Sequence, residues 1–205
     1  MEYEVRYYYK KECYDNLFNK LKEIKGLNYK GKFYEKTIQY NHPLKKYDFY
    51  SKDIDGRFRV RITKNENIKK CMISWKRRLK DSIITHTQEE VELSIKEDEI
   101  DKLFFIIDNV LHLDLVESYE RYRTIFYNDE VELALDLYPF GLALEIEAKK
   151  DNNQREIIDR YLKLLNLKIE DSYKLSWDDK YEELCKNQNK KIEKEVLFEK
   201  DMPQI

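Results

Sequence analysis

Apolar residues recur at every second position through much of this chain. Segments 1–8, 33–40, 46–51, 57–64, 71–78, 85–95, 119–127, 130–137 and 142–149 alternate in this way, which predicts β-strands. Three other segments space their apolar residues three and four apart and predict amphipathic helices. They are 11–25 (Tyr14, Leu17, Phe18, Leu21, Ile24), 97–113 (Ile100, Leu103, Phe104, Ile107, Val110, Leu111) and 153–166 (Ile157, Ile158, Tyr161, Leu162, Leu165). A short helix is expected near 178–188. The order of elements predicts an α+β domain with antiparallel strands. With only four Gly and three Pro, no stretch reads as a linker, and no repeat of fixed period is present. We therefore expect one domain over 1–185 and a charged C-terminal extension over 186–205.

The polar faces of these strands are unusual. Arg57, Arg59 and Arg61 oppose Phe58, Val60 and Ile62. Glu2, Glu4 and Arg6 oppose Tyr3, Val5 and Tyr7; Ser74, Lys76 and Arg78 oppose Ile73 and Trp75. The same holds for Glu90 and Glu92, for Arg121 and Arg123, for Glu132 and Asp136, and for Glu145, Glu147 and Lys149. For one strand, a solvated outer face is the simpler reading. Across many strands it weakens, because like charges placed side by side are destabilising and an ordinary solvent face mixes signs. A barrel with apolar faces under helices and charged faces around a cavity accounts for both patterns. Such a lumen is expensive unless its charges pair or meet ligands.

Composition sharpens this reading. Charged residues are 39% of the 205, yet 17 Tyr and 9 Phe argue for a packed fold rather than disorder. Net charge is −2, so a polyanion site must be a local concentration of basic residues. The three cysteines, Cys13, Cys71 and Cys185, lack metal-ligand spacing and suit a reducing compartment. No apolar run is long enough for a membrane span, and the N-terminus does not read as a signal peptide. The expectation is a soluble cytoplasmic protein.

Several motifs carry a family resemblance. Glu2-Tyr-Glu4-Val-Arg6 resembles the amino-terminal ExExK signature of the CYTH superfamily, the triphosphate tunnel metalloenzymes, with Arg6 in place of Lys. YDFYSKDIDGRFRVRI, ISWKRR, THTQEEVELSI and SYERYRTIFY are similar to its successive strands, and ELALDLYPFGLALEIEAK to its ending. The likeness covers about residues 1–150. Ser51 and Gln88 depart from it where Asp and Arg are usual. The resemblance implies a closed, eight-stranded antiparallel barrel forming a tunnel, with helices outside, and Mg²⁺ or Mn²⁺ as cofactor.

It further implies roles for individual residues. Arg6, Arg59, Arg61, Lys76, Arg121 and Arg123 would bind a triphosphate, with Arg57 and Arg78 as weaker candidates. Glu2, Glu4, Glu90, Asp136, Glu145 and Glu147 would hold the metal, oxygen donors suiting hard cations. Arg6, Lys76, Glu4 and Glu147 are the candidate catalytic set. Arg6 cannot transfer a proton at neutral pH, unlike the Lys it replaces.

The leading expectation is a metal-dependent triphosphatase acting on inorganic triphosphate or a small organic or nucleoside triphosphate. The rivals are a class IV adenylate cyclase, an RNA 5′-triphosphatase and a non-catalytic polyphosphate- or nucleotide-binding module. The expected partner is a small triphosphate-containing molecule. No membrane is expected, nor any nucleic acid beyond a 5′-triphosphate RNA end, and the sequence leaves the oligomeric state open between monomer and homodimer. His42 and His112 read as structural, and His86 as a residue in phase with Glu90. Trp75 reads as core and Trp177 as packing that could instead meet a base.

Overall fold

The first residue of one strand shows how tightly this chain is specified. A Cβ on Gly56 would collide with the ring of Trp75 and the carbonyl of Phe49, so only glycine fits there. The computed structural model describes residues 3–50, 56–78, 88–149 and 152–205. Eight strands form an antiparallel sheet: β1 (Tyr3–Tyr9), β2 (Asn28–Asn41), β3 (Gly56–Lys64), β4 (Lys69–Arg78), β5 (Gln88–Ile95), β6 (Asp114–Tyr127), β7 (Val131–Tyr138) and β8 (Gly141–Ala148). A two-residue β9 (Glu195–Val196) joins β6 in parallel. The helices are α1 (Tyr14–Glu23), α2 (Ile100–Phe105), α3 (Gln154–Leu165) and α4 (Trp177–Asn187). Among the described residues no hydrogen-bonded ladder closes the sheet, so the expected barrel is not closed in that sense. No described helix is long and apolar enough to cross a membrane.

The chain divides into two units. Unit one is Tyr34–Glu120 with Lys194–Val196. Here β2, β3, β4 and β5 pair in that order. Their apolar faces present Ile38, Tyr40, Phe58, Val60, Ile62, Cys71 and Ile73 to α2, which contributes Ile100, Leu103 and Phe104. The expected helix over 97–113 is cut short. After α2 the backbone widens into a π-turn, Ile106–Val110, with the Leu111 amide donating to the Ile106 carbonyl. The extra residue keeps Ile107 in the core at 1% exposure but turns Val110 to solvent at 59%. His112 ends the turn at φ 50.

Unit two holds the remaining described residues. The strand order is β1, β8, β7 and the second half of β6. One face carries Val5, Tyr7, Phe126, Leu133, Leu135, Leu142, Leu144 and Ile146. Against it lie α1, through Leu17 and Leu21, and α3, through Ile157, Ile158, Tyr161, Leu162 and Leu165. Each such buried aliphatic side chain stabilises by roughly 1.5–3 kcal/mol relative to exposure. Asn153 and Asn166 bracket α3 in left-handed conformations that Asn tolerates well. A capping box formed by Ser176 and Asp179 starts α4. Trp177 lies within α4, buried and stacked on Tyr138, as packing rather than as an exposed platform. Leu197 and Met202 are buried in this unit.

Candidate functional site

Alternation puts the arginines of β3 on the face away from α2, and cross-strand register decides what they meet. Gln39 stands opposite Arg59, Thr37 opposite Arg61, and Glu35 opposite Thr63. The Arg59 Nε donates to Gln39 Oε1 at 3.2 Å, and the Arg61 Nε to Thr37 Oγ1 at 3.1 Å. Arg61 also reaches the buried Tyr119 hydroxyl at 3.5 Å. The one acid of this β2 face, Glu35, accepts from Thr63 instead. Among the described residues, neither Arg59 nor Arg61 has a carboxylate at ion-pair distance. Burial, and behind it the charges of Arg57 and Arg61, lowers the proton affinity of Arg59, although Tyr119 and Glu117 oppose this. Lys76 stands across from Arg57 and forms an ion pair with Glu90 at 2.9 Å.

Unit two has the opposite electrostatics. Arg6 Nε donates to Glu145 at 2.7 Å, and Arg6 Nη2 to Glu4 at 3.3 Å. Arg121 and Arg123 each donate to Asp136 Oδ2 at 2.8 Å, and Arg123 also to Glu145 at 3.0 Å. Burial alone would raise the Glu145 carboxyl, but Arg6, Arg123 and Arg121 outweigh it and hold this group below the ordinary carboxylate range. The Arg6 backbone is gripped as well: its carbonyl accepts from the Tyr173 amide at 2.7 Å, while its Nη1 reaches the Leu175 carbonyl at 3.4 Å.

A third arrangement lies at the near end of β1. Glu4 is the cross-strand partner of Glu147, and Glu147 is also the partner of Glu132 on β7. Three glutamates thus stand side by side across three adjacent strands. Lys149 approaches Glu132 at 3.4 Å and Arg123 approaches it at 3.8 Å.

These positions sort the residues expected from the sequence. The structure brings Arg6, Arg121, Arg123, Asp136 and Glu145 into one network and sets Glu4 beside Glu147. Arg59, Arg61, Lys76 and Glu90 belong to unit one. Glu2 and His86 lie outside the described residues, as does the Arg78 side chain. Sequence reasoning missed Glu132 as a candidate, although it shares its strand face with Asp136. It also missed Thr37, Gln39 and Tyr138, whose hydroxyl accepts from Arg121 at 3.2 Å. His42 accepts from the Leu44 amide and His112 contacts the Asp108 carbonyl, so both serve turns. All three cysteines are free thiols.

The donor chemistry of the glutamate row suits a hard divalent cation, since it offers only carboxylate oxygens. Asp136 and Glu145 fit less well, being engaged by guanidinium groups. Among the described residues, no three acidic, His or Cys side chains are gathered closely enough to hold a metal ion.

No family model and no curated protein matches this chain. Its fold does match solved structures. The PH1819 protein of Pyrococcus horikoshii is 26% identical, with a TM-score of 0.63 over 86% of this chain and 96% of that one. A proposed adenylate cyclase from Vibrio parahaemolyticus is 17% identical, with a TM-score of 0.66 over 87% of this chain and 95% of that one. HpAC1 from Hippeastrum, a proposed adenylyl cyclase described as having a dominant triphosphatase activity, is 15% identical, with a TM-score of 0.60 over 94% and 98%. The chain therefore shares its fold with these proteins.

Proposed function

We propose that this protein is a metal-dependent enzyme that hydrolyses a triphosphate, of the CYTH type that its motifs resemble. The observation that carries this reading is the Arg59–Arg61 pair. Two half-buried guanidinium groups sit side by side with neutral partners. Leaving such charges uncompensated is costly, so an anionic ligand is the natural complement. Guanidinium forks match phosphate oxygens in pairs. The triphosphatase activity described for HpAC1, a protein of the same fold, supports hydrolysis over cyclisation.

In the reaction, a water oxygen bonds to the terminal phosphorus as the bridging P–O bond breaks. Diphosphate leaves, orthophosphate forms and the water proton is released. Arg59, Arg61 and Lys76 bind and orient phosphoryl oxygens in this reading. Glu4 and Glu147 would supply carboxylate oxygens to Mg²⁺ or Mn²⁺. When bound, the cation neutralises phosphate charge and lowers the pKa of a coordinated water. Because Arg6 stays protonated, the water proton must pass to a carboxylate, and the Glu4–Glu147 pair is our candidate. A closed tunnel is part of this proposal.

The test is a product analysis. The protein is incubated with tripolyphosphate, ATP, thiamine triphosphate and triphosphate-ended RNA, each with Mg²⁺ or Mn²⁺. Orthophosphate release is expected. Cyclic AMP from ATP would replace the hydrolase reading with the cyclase one, and tight binding without turnover would favour the non-catalytic module.

A further inference from the structure

Gln39 is 1% exposed, yet among the described residues its Nε2 has no hydrogen-bond partner. The orientation of this amide is fixed by chemistry. Arg59 Nε can only donate, so the atom facing it at 3.2 Å must be the amide oxygen. The amide's two N–H donors are therefore left in a buried setting without an acceptor, a state that native interiors rarely tolerate. The register explains where they sit. Gln39 and Arg59 are cross-strand partners on the arginine face, and Ser74 is the next residue across. The surroundings are rich in donors and poor in acceptors: Arg59 and Arg61 carry positive charge, and neither meets a carboxylate among the described residues.

We propose that Gln39 is a binding residue of an anion seat, its Nε2 donating to a phosphoryl oxygen held by Arg59. This rests on the reading of the Arg59–Arg61 pair as a phosphate site and deepens it. The neutral amide also explains why β2 carries no acid opposite Arg59. A glutamate there would form a bidentate pair with the guanidinium and compete with the ligand. The position thus trades ligand-free stability for an available cation.

The experiment titrates the full chain with tripolyphosphate, without divalent metal, by calorimetry and by NMR of side-chain amides. In the wild-type protein, the Gln39 Nε2 resonances move on binding. Gln39→Met removes the donor at similar volume and weakens binding about tenfold. Gln39→Glu weakens binding further while raising the melting temperature of the ligand-free protein. If the wild-type protein binds and Gln39→Met binds equally well, or the Nε2 resonances stay still, the role of Gln39 is overturned. No binding by the wild-type protein overturns the phosphate reading itself, and with it this inference. The NMR measurement needs no variant, so it decides the matter even if a substituted chain misfolds.

Discussion

Glu4 and Glu147 are direct cross-strand partners on β1 and β8, two acidic positions set side by side by the register. Like charges so placed repel by roughly 0.2–1 kcal/mol, which a bound cation would convert into attraction. We therefore expect Glu4→Ala and Glu147→Ala each to abolish metal-dependent turnover without lowering the melting temperature. Calorimetric titration with Mn²⁺ should show weaker binding in both. Full activity in both variants removes the metal assignment.

The two arginine groups should respond differently to truncation. Arg121 is buried and donates to the fully buried Asp136. Arg121→Ala strips one partner from that charge and should cost about 3–5 kcal/mol. Among the described residues Arg59→Ala strands no acid, so it should cost far less, while weakening tripolyphosphate binding. Denaturant unfolding of both variants measures the contrast. An equal or greater loss for Arg59→Ala would contradict the view that its charge is uncompensated.

Acid sensitivity should track Glu145. Its folded carboxyl titrates below the ordinary unfolded value, which is about 4.3 for Glu. Its stabilising contribution is therefore complete above that pH, and it is lost as the pH falls toward the folded value. Glu145→Gln should be less stable than wild type at pH 7, and the two melting curves should converge on acidification. Parallel curves down to about pH 2 would remove this carboxylate as the source of the acid sensitivity.

The π-turn separates two residues that the sequence pattern treats alike. Ile107→Ala should cost about 2–4 kcal/mol, because the site is fully buried. Val110→Lys should lie within about 0.5 kcal/mol of wild type, because the residue faces solvent. A severe loss for Val110→Lys would mean that the helix continues in α geometry and buries this position.

Much of this architecture is visible in the alternation alone. The run from Arg57 to Ile62 announces a two-faced strand, and the stripes of α1 and α3 name the residues that pack on β1, β7 and β8. Register is the missing quantity. Sequence shows that Arg59 and Asp136 both lie on charged faces, but not that one meets a glutamine while the other meets two arginines. That difference depends on which strands become neighbours and how far they slide. The π-turn was invisible for another reason: no Gly or Pro marks it, and only the packing of Ile107 makes the widened turn worthwhile.

The run before α4 lands on Arg6 twice, through the Tyr173 amide and the Leu175 carbonyl. Its length is consequently part of the ruler that sets the guanidinium. Inserting or deleting a residue between these anchors would shift it even with every charged side chain intact. The exposed Asn65–Ile68 turn, closed by its own hydrogen bonds, carries no such constraint and can absorb changes in length.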